Sequence, residues 1–411
     1  MEVLYRVCAG LDVHKDSVKA CLRKPGPQGG RQSEIRTFGT TTREILRMAD
    51  WLSAAQCTHV AMESTGVYWK PIYNVLEGSF EVLLVNAAHI KQVPGRKTDV
   101  KDCQWIAELL ECGLLRASFI PPKPIRELRE LTRHRKTLIQ ERSRIANRIQ
   151  KLLETANIKL GSVASDILGV SGRTILRALV EGEKDPKKLA ALAEGKLRAK
   201  PDKIEEALFG NFSEHHGFLL RQLLMQVEFV NARISECDKR VEEVCRPFDA
   251  TIKRLERLPG IARRAAEQTV AELGVDMSRF PTHQHAASWV GICPGNNESA
   301  GKHKSGKTRK GNRWLSSLLV ECAWAAGRTK ECYFNAQFRQ IARRRGAKKA
   351  AVAVGHSLLV AAYYIIRDGV EYRELGPDHF DRLNSHRLTL YHVRRLEQLG
   401  YQVNLETKNA A

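Results

Sequence analysis

The chain has 411 residues, 43% of them hydrophobic and 27% charged. This is the composition of a globular protein with room for roughly two or three cored domains, and it excludes a disordered chain. Lys and Arg number 67 against 46 Asp and Glu, a formal net charge of +21; that excess excludes an ordinary metabolic enzyme as the first reading and points to a large polyanion, nucleic acid above all, as partner.

The N-terminus, MEVLYRVCAGLDVHKD, turns charged early and lacks the apolar core of a signal peptide. Val3 to Val13 is rich in Val, Leu and Tyr and predicts a strand ending near Asp12. The breaker run Lys24 to Gly30 and the returning strand Glu34 to Thr40 predict a hairpin. Thr42 to Ala55 has helical spacing, with Ile45, Leu46, Ala49 and Leu52 on one side. His59 to Met62 is a short apolar strand that delivers Glu63. A helix over Val67 to Leu76, a buried strand over Glu81 to Val85 and a helix over Asp99 to Cys112 follow. The order implies an α/β domain over residues 1–120, a mixed sheet covered by helices.

Composition changes at Pro121-Pro122-Lys123-Pro124. Beyond it, positions 128, 131, 135, 138, 142, 145, 149 and 152 keep a 3-4 rhythm and hold Leu, Leu, Arg, Leu, Arg, Ile, Ile and Leu. A second series, 220, 223, 227, 230, 234, 237, 241 and 244, is apolar throughout. Repeats of this kind favour coiled-coil packing, within one chain or between chains. With the Lys- and Ala-rich short helices of 156–215 between them, they define a central helical region over 121–254. The first of these helices is also basic, with nine Lys/Arg against four acids over 124–155.

Residues 255–411 read as a mainly α domain. Leu258-Pro259-Gly260-Ile261 before an apolar helix fits a helix-hairpin-helix turn that offers N–H groups to a phosphate, and equally an ordinary Pro-Gly helix start. Ala350 to Ile366 is nearly apolar enough to span a membrane, but it carries His356, Ser357, Tyr363 and Tyr364 and reads as a core helix, so no membrane is expected. The ten cysteines include no CxxC pair. They read as free buried thiols in a reducing compartment, the cytoplasm. His283 and His285 have no cysteine nearby and suggest no metal.

Acids stand out in so basic a chain. Asp12 and Glu63 end two buried strands, and Asp99 and Asp102 are spaced i, i+3 on one face of a helix start. Four carboxylates brought together repel unless divalent cations neutralise them, and hard oxygen donors suit Mg²⁺ or Mn²⁺. Paired ions then clamp the attacking and leaving oxygens of a phosphoryl transfer. Taken one at a time, each acid also has a structural reading: a helix N-terminus favours Asp99 and Asp102, and Asp12 shares a strand face with His14 and Asp16.

The loop Asn296 to Arg313 gathers Lys302, Lys304, Lys307, Arg309, Lys310 and Arg313 around Ser299 and Ser305. Basic side chains and glycines make a phosphate cradle. A serine there could attack phosphorus, or could simply hydrogen-bond a phosphate. Ser305-Gly306-Lys307 lacks the frame of a nucleotide-binding P-loop. Arg343, Arg344 and Arg345, with Lys348 and Lys349, form a further cluster suited to nucleic-acid backbone.

Gly10-Leu11-Asp12-Val13-His14-Lys15, Met62-Glu63-Ser64-Thr65-Gly66 and Lys97-Thr98-Asp99-Val100-Lys101-Asp102 resemble the N-terminal domain of the insertion-sequence-110 family of transposases. Leu258-Pro259-Gly260-Ile261 and Trp289-Val290-Gly291 through Gly311-Asn312 resemble that family's C-terminal domain. The motifs are short, but they cover most of the chain in the right order. The resemblance implies an RNase H/RuvC-like first domain in which Asp12, Glu63, Asp99 and Asp102 bind the metal. It also implies a nucleophilic serine in the last domain, a few residues after a proline in a Ser-small-Gly context. Pro294 and Ser299-Ala300-Gly301 fit, which selects Ser299 over Ser305; Ala300 departs mildly from the usual Ser or Gly. The implied activity is excision and insertion of a mobile element by DNA cleavage and rejoining. A structured non-coding RNA would bridge donor and target DNA, and the composite site would form in a dimer or tetramer. The expected mechanism is a metal-dependent recombinase with a covalent serine–DNA intermediate. Its rivals are a hydrolytic junction-resolving nuclease, in which Ser299 only binds phosphate, and a non-catalytic nucleic-acid scaffold.

Overall fold

A computed structural model describes residues 3–27, 29–86, 90, 102–195, 197–295, 297–299, 302–383 and 385–406, with the backbone alone over 297–299 and 302–304. The chain divides into two compact units, Met1–Pro121 and Pro122–Ala411.

The first unit is built on a mixed five-stranded sheet. Its strands are β1 (Cys8–Val13), β2 (Ser17–Pro25), β3 (Arg31–Gly39), β4 (His59–Glu63) and β5 (Glu81–Val85), in the order β3-β2-β1-β4-β5. β1, β2 and β3 form an antiparallel meander, and β4 and β5 add parallel to β1. Among the described residues helices α1 (Thr42–Ala54), α2 (Trp69–Leu76) and α3 (Asp102–Glu111) pack on it. The two-residue period of the strands sorts the core. Ala9, Leu11, Val13, Val60 and Met62 meet Ile45, Met48 and Leu52 of α1 and Ile72 and Leu76 of α2. On the opposite face Cys8, Ala61 and Val85 meet Ile106, Leu109 and Leu110 of α3. The first strand starts at Cys8 rather than Val3, because Leu4 instead donates its N–H to the Glu111 carbonyl at the end of α3. That end is pinned to the sheet by Arg23 of β2, which bonds Glu108 at 3.0 Å and Glu111 at 2.9 Å.

The second unit opens with α4 (Lys123–Thr155), whose start carries Pro at the first turn, where a missing N–H costs nothing. Four short helices follow, α5 (Leu160–Val163), α6 (Val170–Val180), α7 (Pro186–Ala191) and α8 (Pro201–Leu208), and α9 (Glu214–Cys245) returns along α4. Arg135 bonds Asp238, Arg142 bonds Asn231 and Arg148 bonds Gln226, so numbering rises on one helix as it falls on the other. The two heptad series therefore pair within the chain as an antiparallel hairpin. At its far end Leu153 and Leu220 join Leu160, Ile175, Leu189 and Ile204 of the short helices in one core. The buried positions drift from the strict repeat, to Leu153 in place of Leu152 and Cys245 in place of Val244. An unsupercoiled helix of 3.6 residues per turn slips off a 3.5-residue repeat in this way.

The rest of the unit comprises α10 (Asp249–Glu256), α11 (Arg263–Leu273), α12 (His283–Val290), the strands β6 (Asn297–Ser299) and β7 (Lys302–Ser305), then α13 (Arg313–Ala326), α14 (Tyr333–Arg345), α15 (Ala347–Asp368), α16 (His379–Leu383) and α17 (Ser385–Gln398). Within this unit α11 packs on α4. The Leu258–Ile261 turn does join two helices. Its Gly260, at φ +85°, is pressed so closely by α13 that a β-carbon would lie 2.4 Å from the Cys322 carbonyl oxygen. Among the described residues α15 alone is long and apolar enough to cross a membrane. It is a core helix whose Ala350, Val354, Leu358, Ala362 and Tyr363 are buried, and it packs against α12, α13 and α14.

Candidate active site and nucleic-acid interface

β1 lies on β4 in parallel register, with Leu11 opposite Met62 as the last pair. Asp12 and Glu63 come next on the two strands. Leu11 and Met62 both face α1 and α2, so the alternation turns Asp12 and Glu63 to the face that α3 covers. α3 crosses that face at Gly10, where a β-carbon would stand 2.4 Å from both the Cys103 carbonyl oxygen and the Ala107 nitrogen. Asp102 immediately precedes Cys103 and heads the helix. The glycine two residues before Asp12 thus lets the helix that carries Asp102 lie directly on the strand that carries Asp12. Asp12 bonds His14 Nε2 at 3.0 Å. Asp99 lies outside the described residues. Among the described residues no three His, Cys, Asp or Glu side chains are grouped to hold a metal. The donors on this face are nonetheless carboxylate oxygens, the type that Mg²⁺ and Mn²⁺ take.

Ser299 lies in a β-hairpin where the sequence predicts only a loop. Ser299 pairs with Lys302, the arms bridge again at Pro294 and Thr308, and the Gly295 N–H donates to the Lys307 carbonyl at 2.9 Å. The neck of the hairpin is a crossing of Gly291 and Gly311. A β-carbon on Gly311 would lie 2.5 Å from the Gly291 nitrogen, and Gly291 itself has φ +76°. Beside the neck, Asn312 caps α13 by accepting from the Trp314 and Leu315 N–H groups. Its amide also donates to Glu272 Oε2 at 2.6 Å.

Glu272 of α11 is fully buried. Arg133 of α4 grips both its carboxylate oxygens at 2.8 Å. Arg129 donates to the Ala271 and Glu272 carbonyls at 3.0 and 2.7 Å. Burial pushes the Arg129 guanidinium down to about 10, with Glu272 opposing the fall, so it stays a cation at neutral pH. A buried carboxylate held by a bidentate guanidinium and an amide is satisfied, and its removal would strand the arginines. The network locks the long helical hairpin, α11 and the neck of the serine hairpin to one another.

Two family models match the chain. A DEDD model of the IS110 type, described as a transposase, covers residues 9–158, and one described as "Transposase IS116/IS110/IS902 family" covers residues 252–339. The chain belongs to the IS110 family of transposases. It is 26% identical over 306 residues to a "Probable family 20 transposase" of Pseudomonas aeruginosa, spanning 72% of this chain and 80% of that one. It is 25% identical over 379 residues to a protein of Sinorhizobium fredii named as transposase y4pF/y4sB, spanning 88% of each. An insertion element IS110 protein of 43.6 kDa from Streptomyces coelicolor is 25% identical over 310 residues, or 69% of this chain and 74% of that one. The protein is therefore a DNA-processing enzyme, and DNA is a partner.

On this transposase Lys307, Arg309, Lys310 and Arg313 are exposed along the return arm of the hairpin and the start of α13. The side chains of Ser299, Lys302 and Lys304 lie outside what is described. Arg343, Arg344 and Arg345 are exposed in the last turn of α14, where cations also suit the helix dipole. The residues that sequence reasoning missed are Glu272, Arg133, Arg129 and Asn312. The one signal was an acid inside the apolar run Thr269-Val270-Ala271-Glu272-Leu273.

Proposed function

We propose that this transposase is a metal-dependent DNA recombinase that excises and inserts a mobile element through a covalent serine–DNA link. In this reading the first unit is RNase H/RuvC-like, and Asp12, Glu63, Asp99 and Asp102 hold Mg²⁺ or Mn²⁺, which when bound neutralises charge at the scissile phosphate. The Ser299 hydroxyl attacks phosphorus. A serine–phosphate bond forms as the bond from phosphorus to the 3′ oxygen breaks, and the serine proton ends on the departing 3′-hydroxyl. The reverse step reseals a strand with no external energy, because the link keeps the phosphodiester. Lys302, Lys304, Lys307, Arg309, Lys310 and Arg313 offset the charge that builds on phosphate oxygens, and Arg343, Arg344 and Arg345 hold backbone. A structured non-coding RNA that bridges donor and target DNA, and a dimer or tetramer, complete the assembly.

The observation that carries this reading is the register of β1 on β4, which sets Asp12 beside Glu63 on the face of the helix headed by Asp102. The test is a labelled duplex carrying the ends of the protein's own element, incubated with Mg²⁺ and boiled in detergent. A protein–DNA adduct is expected from the native chain and none from Ser299→Ala or Asp102→Asn. Strand cutting retained by Ser299→Ala would replace the covalent mechanism with the hydrolytic one. Sequencing of co-purified RNA tests the guide.

A further inference from the structure

Below the neck of the hairpin, between α13 and α15, lies an open groove of about 710 Å³. Its floor is aliphatic, formed by Ile292, Val320 and Val352, and Arg309, Lys310 and Arg313 rim it. Among the described residues no carboxylate pairs with these three cations. One acid, Glu321, is on the lining, held by Lys136 at 2.8 and 3.0 Å.

A duplex backbone needs cations only, and an aliphatic floor contributes nothing to a phosphate. A ligand that uses both parts must carry an apolar face and an anion within a few ångströms of each other. An unpaired nucleotide is such a ligand: its base gains by leaving water for the floor, and its phosphate meets the rim. The Ser316 hydroxyl and the Glu321 carboxylate, both on the lining, offer hydrogen bonds to a base edge.

We infer that this groove binds an unpaired nucleotide of the strand being processed, an inference that rests on the DNA-recombinase reading above. The location fits. The arm from Lys302 to Thr308 spans at most about 20 Å of extended chain, so the pair Ser299–Lys302 lies within a few nucleotides' reach of the groove. Cutting and exchanging strands at the hairpin would free unpaired nucleotides at that distance.

The test uses the full chain and fluorescence anisotropy with a short labelled single strand and with the duplex made from it. Val320→Trp fills the groove from its floor, and Ser316→Trp, one turn earlier on α13, fills it from the wall should the first variant not fold. Single-strand affinity is expected to fall about tenfold or more while duplex affinity holds within about twofold. Equal losses on both ligands, or no loss on either, would overturn the inference and leave the recombinase reading intact. A native chain that binds neither ligand would overturn both.

Discussion

A methyl group on Gly10 has nowhere to go, since the Cys103 carbonyl oxygen and the Ala107 backbone of α3 already fill that space. Gly10→Ala is therefore expected to cost about 1–3 kcal/mol in urea unfolding. Because Asp102 heads the displaced helix, strand cleavage should fall further than that loss explains at a temperature where the variant is folded. Glu272→Gln removes the charge that Arg133 and Arg129 share in the core of the second unit. A cost of about 3 kcal/mol is expected, at the low end for a broken buried pair because Arg133 is 34% exposed. The cysteines give a readout of the same interior. Burial pushes the Cys57 and Cys322 thiols up to about 12, and burial with help from Glu111 does the same to Cys8. Only about one in ten thousand of these thiols is ionised at pH 8, so alkylation of the native chain should spare them. Mass spectrometry should find label on the partly exposed Cys112, Cys237 and Cys293, and on all ten only after unfolding.

The long helical hairpin shows what a sequence pattern carries and where it stops. Ile149→Ala should cost about 2–5 kcal/mol, whereas Leu152→Ala, on the strict repeat but only half-buried, should cost less; thermal melts of the two separate a straight helix from a supercoiled one. The repeat announced two apolar seams but not whether they meet each other or a second chain, because an apolar face records burial and not its partner. The antiparallel cross-links Arg135–Asp238 and Arg148–Gln226 decide this, and of their four residues only Arg135 lies on the repeat. Strand alternation likewise made β1 and β4 legible, and with them Asp12 and Glu63 as strand-end acids. Their adjacency depends on register, which is settled by pairing between distant segments. The serine hairpin was not legible, since Lys-, Gly- and Ser-rich sequence is the composition of a loop and its two arms are held by backbone bonds and a glycine crossing.

A net charge of +21, nearly all of it in the second unit, makes DNA binding a salt-sensitive equilibrium. The logarithm of the binding constant should fall linearly with the logarithm of salt concentration, by about 0.9 per phosphate contacted. Replacing Arg343, Arg344 and Arg345 with glutamine should make that slope shallower by up to about 2–3 and leave sequence preference unchanged, which titrations at several salt concentrations measure. Within the second unit Arg133 on α4 and Glu272 on α11 tie the long helical hairpin to the helices that follow it, a cross-tie that a linear scan for breakers does not see.

That cross-tie turns α4 into a spacer of fixed reach. From Arg133 to Leu153 the helix rises about 30 Å, close to nine base-pair steps of B-form DNA. The cap of short helices is thereby held at a set standoff from the serine hairpin. Excising one heptad from each arm would draw the cap in by about 10 Å, near three base pairs. A footprint edge made by the cap should retreat by that distance while the cut site stays where it was.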